Sequence, residues 1–191
     1  MEGCRLAVND LACRRGERVL FRGLGFALAP GQALQVTGPN GTGKSSLLRI
    51  VAGLLRPFAG TVQRSGAIGL VDERPALDEH LPLGRALEFW ARIDGIGRGA
   101  PDLGLDTLMD VPVRFLSTGQ RKRAALARLI RQQAPVWLLD EPLNGLDAEA
   151  ARTCEALVAE HCANGGLAVV ASHQAFALPA MRQIAIADFL P

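Results

Sequence analysis

The sequence predicts an α/β fold: a mostly parallel sheet flanked by helices, with a short antiparallel β portion and a small inserted helical lobe. Three observations carry this. Two continuous apolar runs, Val136–Leu139 and Leu167–Ala171, have the composition of strands buried on both faces. Each follows a stretch with apolar residues at helical spacing, and strand–helix alternation produces a parallel sheet covered by helices. Between about residues 78 and 115 the pattern changes to short helical stretches broken by Gly and Pro.

Taken in order, Val19–Phe21 and Gly25–Leu28 read as short strands of a hairpin or meander, followed by the turn signal Pro30-Gly31. Ala33–Thr37 is a strand that runs into a glycine-rich loop. Ser45–Leu55 is a helix, because Leu47, Leu48, Val51, Leu54 and Leu55 recur at helical spacing. Thr61–Arg64 and Ala67–Val71 are strands. Leu83, Ala86, Leu87, Trp90 and Ala91 mark a helix of the lobe, the Gly95–Gly99 break follows, and Leu105, Leu108 and Met109 mark a shorter helix. Arg121–Arg131 and Ala148–Cys162 are the helices preceding the two apolar strands, and Asn164-Gly165-Gly166 ends the second.

At 191 residues the chain fits one domain. Its core is expected at about 1–77 and 116–191, with the helical lobe at about 78–115. Lys+Arg exceed Asp+Glu by only 21 − 19 = 2, so no nucleic-acid partner is expected. No apolar run approaches the roughly 20 residues that span a bilayer, so no direct membrane insertion is expected. The N-terminal MEGCRLAVND lacks the basic-then-apolar layout of a secretory signal, and a protein on the reducing side of a membrane is expected. Cys154, His161 and Cys162 could share a helix and hold a metal. Structural zinc wants four grouped ligands, so buried free thiols are the preferred reading of the cysteines.

Gly38-Pro39-Asn40-Gly41-Thr42-Gly43-Lys44-Ser45 fits G-x-x-x-x-G-K-[ST]. The glycines let backbone N–H groups turn inward around phosphate oxygens, and the helix behind them, beginning at Ser45 and Ser46, presents its positive end. Lys44 is suited to the β- and γ-phosphates, and the Ser45 hydroxyl to Mg²⁺. Lys44 is one of only two lysines, with Lys122, so incidental surface charge is a poor explanation for it. Asp140 and Glu141 sit at the carboxyl end of an apolar strand, the edge where parallel sheets bind ligands. Asp140 is suited to hold Mg²⁺, and Glu141 to deprotonate an attacking water. The alternative is two solvated acids at a strand end. His173 follows the next apolar strand and would reach the same edge.

These residues resemble the P-loop NTPases of the ATP-binding cassette (ABC) class. Leu116-Ser117-Thr118-Gly119-Gln120 is similar to that family's LSGGQ signature, Asp140-Glu141-Pro142 with Asn144-Gly145-Leu146-Asp147 to its Walker B and D-loop, and Ser172-His173 to its switch histidine. The order and spacing match over nearly the whole chain. The resemblance implies an ATPase in which two cassettes seal two Mg-ATP between them, the phosphate loop of one meeting Ser117, Thr118, Gly119 and Gln120 of the other. It implies that Glu141, His173 and Lys44 are catalytic, that His173 links the γ-phosphate to Glu141, and that Asp147 belongs to the nucleotide site. It also implies separate membrane-spanning transporter subunits as partners, docked beside the lobe, and a peripheral place on the inner face of the cell membrane. Within the family the chain most resembles the haem-exporter ATPases of cytochrome c maturation.

Four departures from the family pattern stand out. Arg74 occupies the place of the Q-loop glutamine, and an arginine cannot ligate Mg²⁺; Glu73 or water substitutes, or Arg74 pairs with phosphate. No tyrosine exists to stack on adenine, and Arg15 stands at that place as a stacking guanidinium or as a solvated cation. Thr118 replaces the first signature glycine and is expected at negative φ. Asn144-Gly145 replaces the commoner Ser-Ala. Leu83, Phe89 and Trp90 are candidates to shape the docking groove, although at least one aromatic is expected to fill the lobe's core. Three other readings remain: an ABC-type ATPase of another small exporter, a nucleotide-gated clamp or scaffold that moves no solute, and a weakly hydrolysing cassette.

Overall fold

The computed structural model describes residues 4–95 and 103–190. A five-stranded sheet holds β5 (Ile68–Val71), β6 (Val136–Asp140), β7 (Leu167–Ala171), β3 (Ala33–Thr37) and β8 (Arg182–Ala185) in that order, and every pairing in it is parallel. A second sheet, β2-β1-β4, is antiparallel and consists of β1 (Arg5–Arg15), β2 (Arg18–Leu28) and β4 (Ala59–Ser65).

All residues of β6 and β7 are buried, as their unbroken apolar runs require. One core packs Leu34 and Val36 with the antiparallel sheet and with Leu47, Leu48 and Val51 of α1 (Lys44–Ala52). The other packs Ala33, Leu139 and Val170 beneath α3 (Thr118–Arg131) and α4 (Ala148–Ala163). The register sets Asp140 beside Ala171, and Ala171 beside Val36. The three chain segments leaving these strands therefore emerge side by side at one edge.

The N-terminal hairpin differs from the sequence expectation. β1 is an 11-residue strand that the sequence reading omitted, and β2 is continuous where two short strands were expected. The register of β1 against β2 shifts between Val8 and Leu11, and Asp10 there takes φ 49° opposite Gly23 at φ 70°. This bulge absorbs the polar Asn9-Asp10 pair, which in the sequence reads as a break. Helix α1 stops at Ala52 rather than Leu55, because Gly53 takes φ 80° and its N–H closes onto Arg49 and Ile50 carbonyls. β8 was also missed: it is a short, half-exposed edge strand with no apolar run. The 3₁₀ turn after it carries the buried Ile186 against the glycine-rich loop, so close that a β-carbon on Gly38 would lie 2.7 Å from Ile186 Cγ2.

The lobe consists of α2 (Leu83–Ile93) and 3₁₀ turns at Asp106–Leu108 and Val113–Phe115. Its small core, Leu83, Ala86, Leu87, Leu105 and Val113, is completed by Ala124 and Ala127 of α3. Trp90 packs against this core, donates its indole N–H to the Ala76 carbonyl and lies 3.5 Å beneath the Arg128 guanidinium. Phe89 is 54% exposed, so Trp90 is the aromatic that fills the lobe. Of the Gly95–Gly99 break only Gly95 is among the described residues.

Candidate active site

The glycine-rich loop leaves β3 at Gly38, whose φ of 146° no side chain adopts readily, and enters α1 through Gly43 at φ 108°. A β-carbon on Gly43 would lie 3.2 Å from Leu20 and Phe21, so β2 backs the loop. Lys44 is 5% exposed. Its Nζ lies across the loop and donates to the carbonyls of Gly38 at 2.8 Å and Pro39 at 3.2 Å. The Thr42 hydroxyl donates to the Pro39 carbonyl at 2.8 Å, which stiffens the same turn; Asn40 and Gly41 are exposed at its tip.

Glu141 is the hub. Its Oε1 lies 3.4 Å from Lys44 Nζ, an ion pair whose geometry makes no hydrogen bond, and its Oε2 lies 2.9 Å from His173 Nδ1. A carboxylate only accepts, so Nδ1 carries the proton of that bond. Glu141 takes φ 45°, a costly backbone for a side chain of this size, while its N–H donates to the Ala171 carbonyl at 2.8 Å. The left-handed step turns the carboxylate off the line of β6 and in between Lys44 and His173.

Asp140 is 3% exposed. Burial raises its carboxyl above the usual range, against the opposing pull of a hydrogen bond from the Ser45 hydroxyl. Its Oδ1 has no hydrogen-bond partner. A buried, half-satisfied carboxylate joined to a hydroxyl is an oxygen donor set suited to a hard cation. Among the described residues no group of three or more His, Cys, Asp or Glu side chains gathers for a metal. Asp140 and Ser45 alone would supply only part of the oxygen set that a hard cation takes.

Lys122 was not singled out for a role by the sequence reading. It is 4% exposed, and its Nζ donates to the Asp140 backbone carbonyl at 3.2 Å. Burial lowers its affinity for a proton, and the Asp140 carboxylate opposes that. The available signal was the scarcity of lysine, which makes each one informative. Arg49 of α1 also pairs with Asp72 at 2.9 Å, so the segment after β5 is tied to the helix of the glycine-rich loop. Arg74 is exposed on the wall of a cavity of about 530 Å³ that it shares with Glu73, Thr118 and Lys122.

Other predicted residues lie apart from this cluster. Ser117 caps α3: its Oγ accepts from Gln120 N–H at 3.2 Å, and Gln120 Oε1 accepts from Ser117 N–H at 2.8 Å. Thr118 is the first residue of that helix and is not among the residues at positive φ, as expected. Gly119 abuts the 144–147 loop, where a β-carbon would lie 2.5 Å from the Gly145 carbonyl. Asp147 caps α4, its Oδ1 accepting from Glu149 and Ala150 N–H groups. Arg15 is exposed at the end of β1. Ser46 hydrogen-bonds the buried Cys13 thiol, whose proton affinity burial raises against the Ser46 bond and the Arg15 charge. His161 stacks on Trp137 at 3.9 Å, and its Nε2 lies 3.3 Å from the Leu167 carbonyl. All four cysteines are buried and free.

One ammonium, two carboxylates and an imidazole thus converge at the mouth of a loop lined with backbone N–H groups. The arrangement can hold a polyphosphate and remove a proton from a water beside it. Residues 21–144 match the family model described as ABC transporter. The chain is 59% identical over 191 residues to the cytochrome c biogenesis ATP-binding export protein CcmA of Novosphingobium aromaticivorans, covering 100% of both chains. It is 54% identical to the protein of that name from Sphingopyxis alaskensis, covering 94% of this chain and 95% of the other. Its fold is similar to that of an ATP-binding cassette solved as a dimer in a post-hydrolysis state with ADP and Pi. For that structure the TM-score is 0.74 and the identity 21%, with 88% of each chain covered.

Proposed function

The chain belongs to the ABC transporter family, and from that premise we propose that it is the ATP-binding and ATP-hydrolysing subunit of a haem exporter serving cytochrome c maturation. The observation that carries the ATPase reading is Glu141 held between Lys44 Nζ and His173 Nδ1 at the carboxyl edge of β6 and β7.

The chemistry follows from these positions. The N–H groups of the Gly38–Ser45 loop and the start of α1 take the phosphate oxygens. The Lys44 ammonium, poised on the Gly38 and Pro39 carbonyls, neutralises the β- and γ-phosphates. Mg²⁺, when bound with ATP, spreads the phosphate charge, and Ser45 and Asp140 are the residues that would hold it. Glu141 accepts the proton of the attacking water, and His173 fixes which way its carboxylate faces. Ser117 caps the N-terminus of α3, the positive end of that helix, which suits it to the γ-phosphate of a second cassette. ATP then joins two cassettes, and hydrolysis parts them. Asp147 lies in the loop that would meet the partner.

No helix among the described residues is long and apolar enough to cross a membrane. The membrane step is assigned to separate spanning subunits, with this chain peripheral on the inner face and the exposed Phe89 side of the lobe toward them.

Affinity capture of the full chain from detergent-solubilised membranes tests this. Membrane subunits in the eluate, with Mg-ATP turnover, are the expected result. Ribosomes or DNA in their place would favour the clamp reading, and a chain with no measurable Mg-ATP affinity would end the ATPase reading.

A further inference from the structure

β3 carries a residue that its surroundings do not call for. Gln35 stands in the run Ala33-Leu34-Gln35-Val36, flanked by β7 on one side and β8 on the other, and is 1% exposed. It shares the face of Ala33, which packs in the core beneath α3 and α4. An amide buried in such a place is destabilising unless its polar ends are bonded. Both are. Nε2 donates to the Gln174 carbonyl at 2.6 Å, and Oε1 accepts from Gln183 Nε2 at 3.2 Å.

Gln174 directly follows His173, beyond the last residue of β7, Ala171. Ladder bonding ends at Ser172, whose N–H donates to the Val36 carbonyl at 3.1 Å. After that point the backbone of residues 173–174 leaves the sheet, and the Gln35 amide takes over as the tether from inside the neighbouring strand. His173 is therefore pinned on both sides by β3, through Val36 before it and Gln35 after it. Between these anchors its Nδ1 meets Glu141 Oε2. The same turn is stitched further by Gln174 N–H to Ser172 Oγ at 3.0 Å and Gln174 Nε2 to Asn144 Oδ1 at 3.3 Å.

We propose that Gln35 is a positioning residue for hydrolysis, acting through the 172–174 turn to hold His173 against Glu141. The inference rests on the reading of Glu141 and His173 as the hydrolytic pair. Gln35 itself faces the core, three residues before the phosphate loop starts at Gly38, so its loss should slow the chemical step without weakening the grip on nucleotide. Displacing a catalytic group by about 1 Å costs on the order of 10²-fold.

The test is ATP turnover by the full chain assembled with its membrane subunits, for Gln35→Met, His173→Ala and the double variant. Gln35→Met keeps the volume and removes both bonds. We expect kcat to fall about 10- to 100-fold with KM for ATP within about twofold, and the double variant to be no slower than His173→Ala alone. An unchanged kcat, or losses that multiply in the double variant, overturns the proposal. If Gln35→Met does not fold, the exposed Gln183→Ala decides: it removes only the bond to Gln35 Oε1, and it should lower kcat without adding to His173→Ala. Unchanged turnover in Gln183→Ala then overturns the proposal. A wild-type chain that neither binds nor hydrolyses ATP overturns the functional reading itself, whereas a wild-type chain matched by active Gln35→Met overturns only the role of Gln35.

Discussion

Thr118 and Gly145 occupy complementary volumes: a β-carbon on Gly145 would lie 2.9 Å from Cγ2 of Thr118. Where the family pattern has glycine and then alanine, this chain has the larger residue first and the smaller second. The two departures from the pattern are thus one packing solution joining the start of α3 to the 144–147 loop. Gly145 also takes φ 78°, which favours glycine. Gly145→Ala should destabilise the chain by about 2 kcal/mol, part from the clash and part from the backbone. In a Thr118→Gly background only the backbone part, about 1 kcal/mol, should remain. Urea unfolding of the four proteins reads the coupling, and strictly additive losses would refute it.

Glu141→Gln keeps the shape of the hub and removes its charge. ATP affinity should persist, an ATP-dependent dimer should accumulate on size-exclusion chromatography, and turnover should fall by roughly 10²- to 10⁴-fold. Turnover at the wild-type rate would remove Glu141 as the base.

Arg15 lies near enough to Cys13 for its charge to counter the burial of that thiol, and Cys13 in turn touches Ser46 in the first turn of α1. The guanidinium itself is exposed at the end of β1. A guanidinium stacked on a base does not discriminate between purines. Arg15→Ala should weaken ATP and GTP binding alike in a fluorescence titration; equal affinities before and after would place Arg15 outside the site.

His161 makes stability depend on pH. Burial lowers its proton affinity below the usual histidine range, outweighing the Leu167 and Pro135 carbonyls. The unfolded chain therefore binds this proton more readily than the folded one, and stability falls as pH drops through about 6.5. His161→Phe keeps a ring over Trp137 and cannot titrate. Its Tm should be lower at about pH 7.5 but flatter toward pH 5.5; a slope equal to wild type would show that other groups carry the acid sensitivity.

Much of the site was visible as residue type and order. Gly38–Ser45, Asp140-Glu141 and Ser172-His173 announce themselves because phosphate, proton and strand-edge chemistry admit few substitutes, and the apolar runs of β6 and β7 fix which edge they share. Less visible was anything created by an exception to a pattern. The polar Asn9-Asp10 pair hides β1 because a bulge absorbs it, and Leu54-Leu55 extend the helical period past the Gly53 stop. β8 has no run to announce it. The left-handed backbone of Glu141 and the burial of Lys122 arise from neighbours distant in sequence, and no local window contains them.

Ser117 and Gln120 satisfy each other's backbone N–H groups before any partner arrives. The hydroxyl of Ser117 spends a lone pair on this and retains its proton for an outside acceptor. In the proposed pairing of two cassettes, an incoming copy would meet a rigid tip here, with little side-chain freedom left to lose on association. The speed with which two copies lock should then be governed by how often they collide in the right orientation, and the strength of the lock by the phosphate between them.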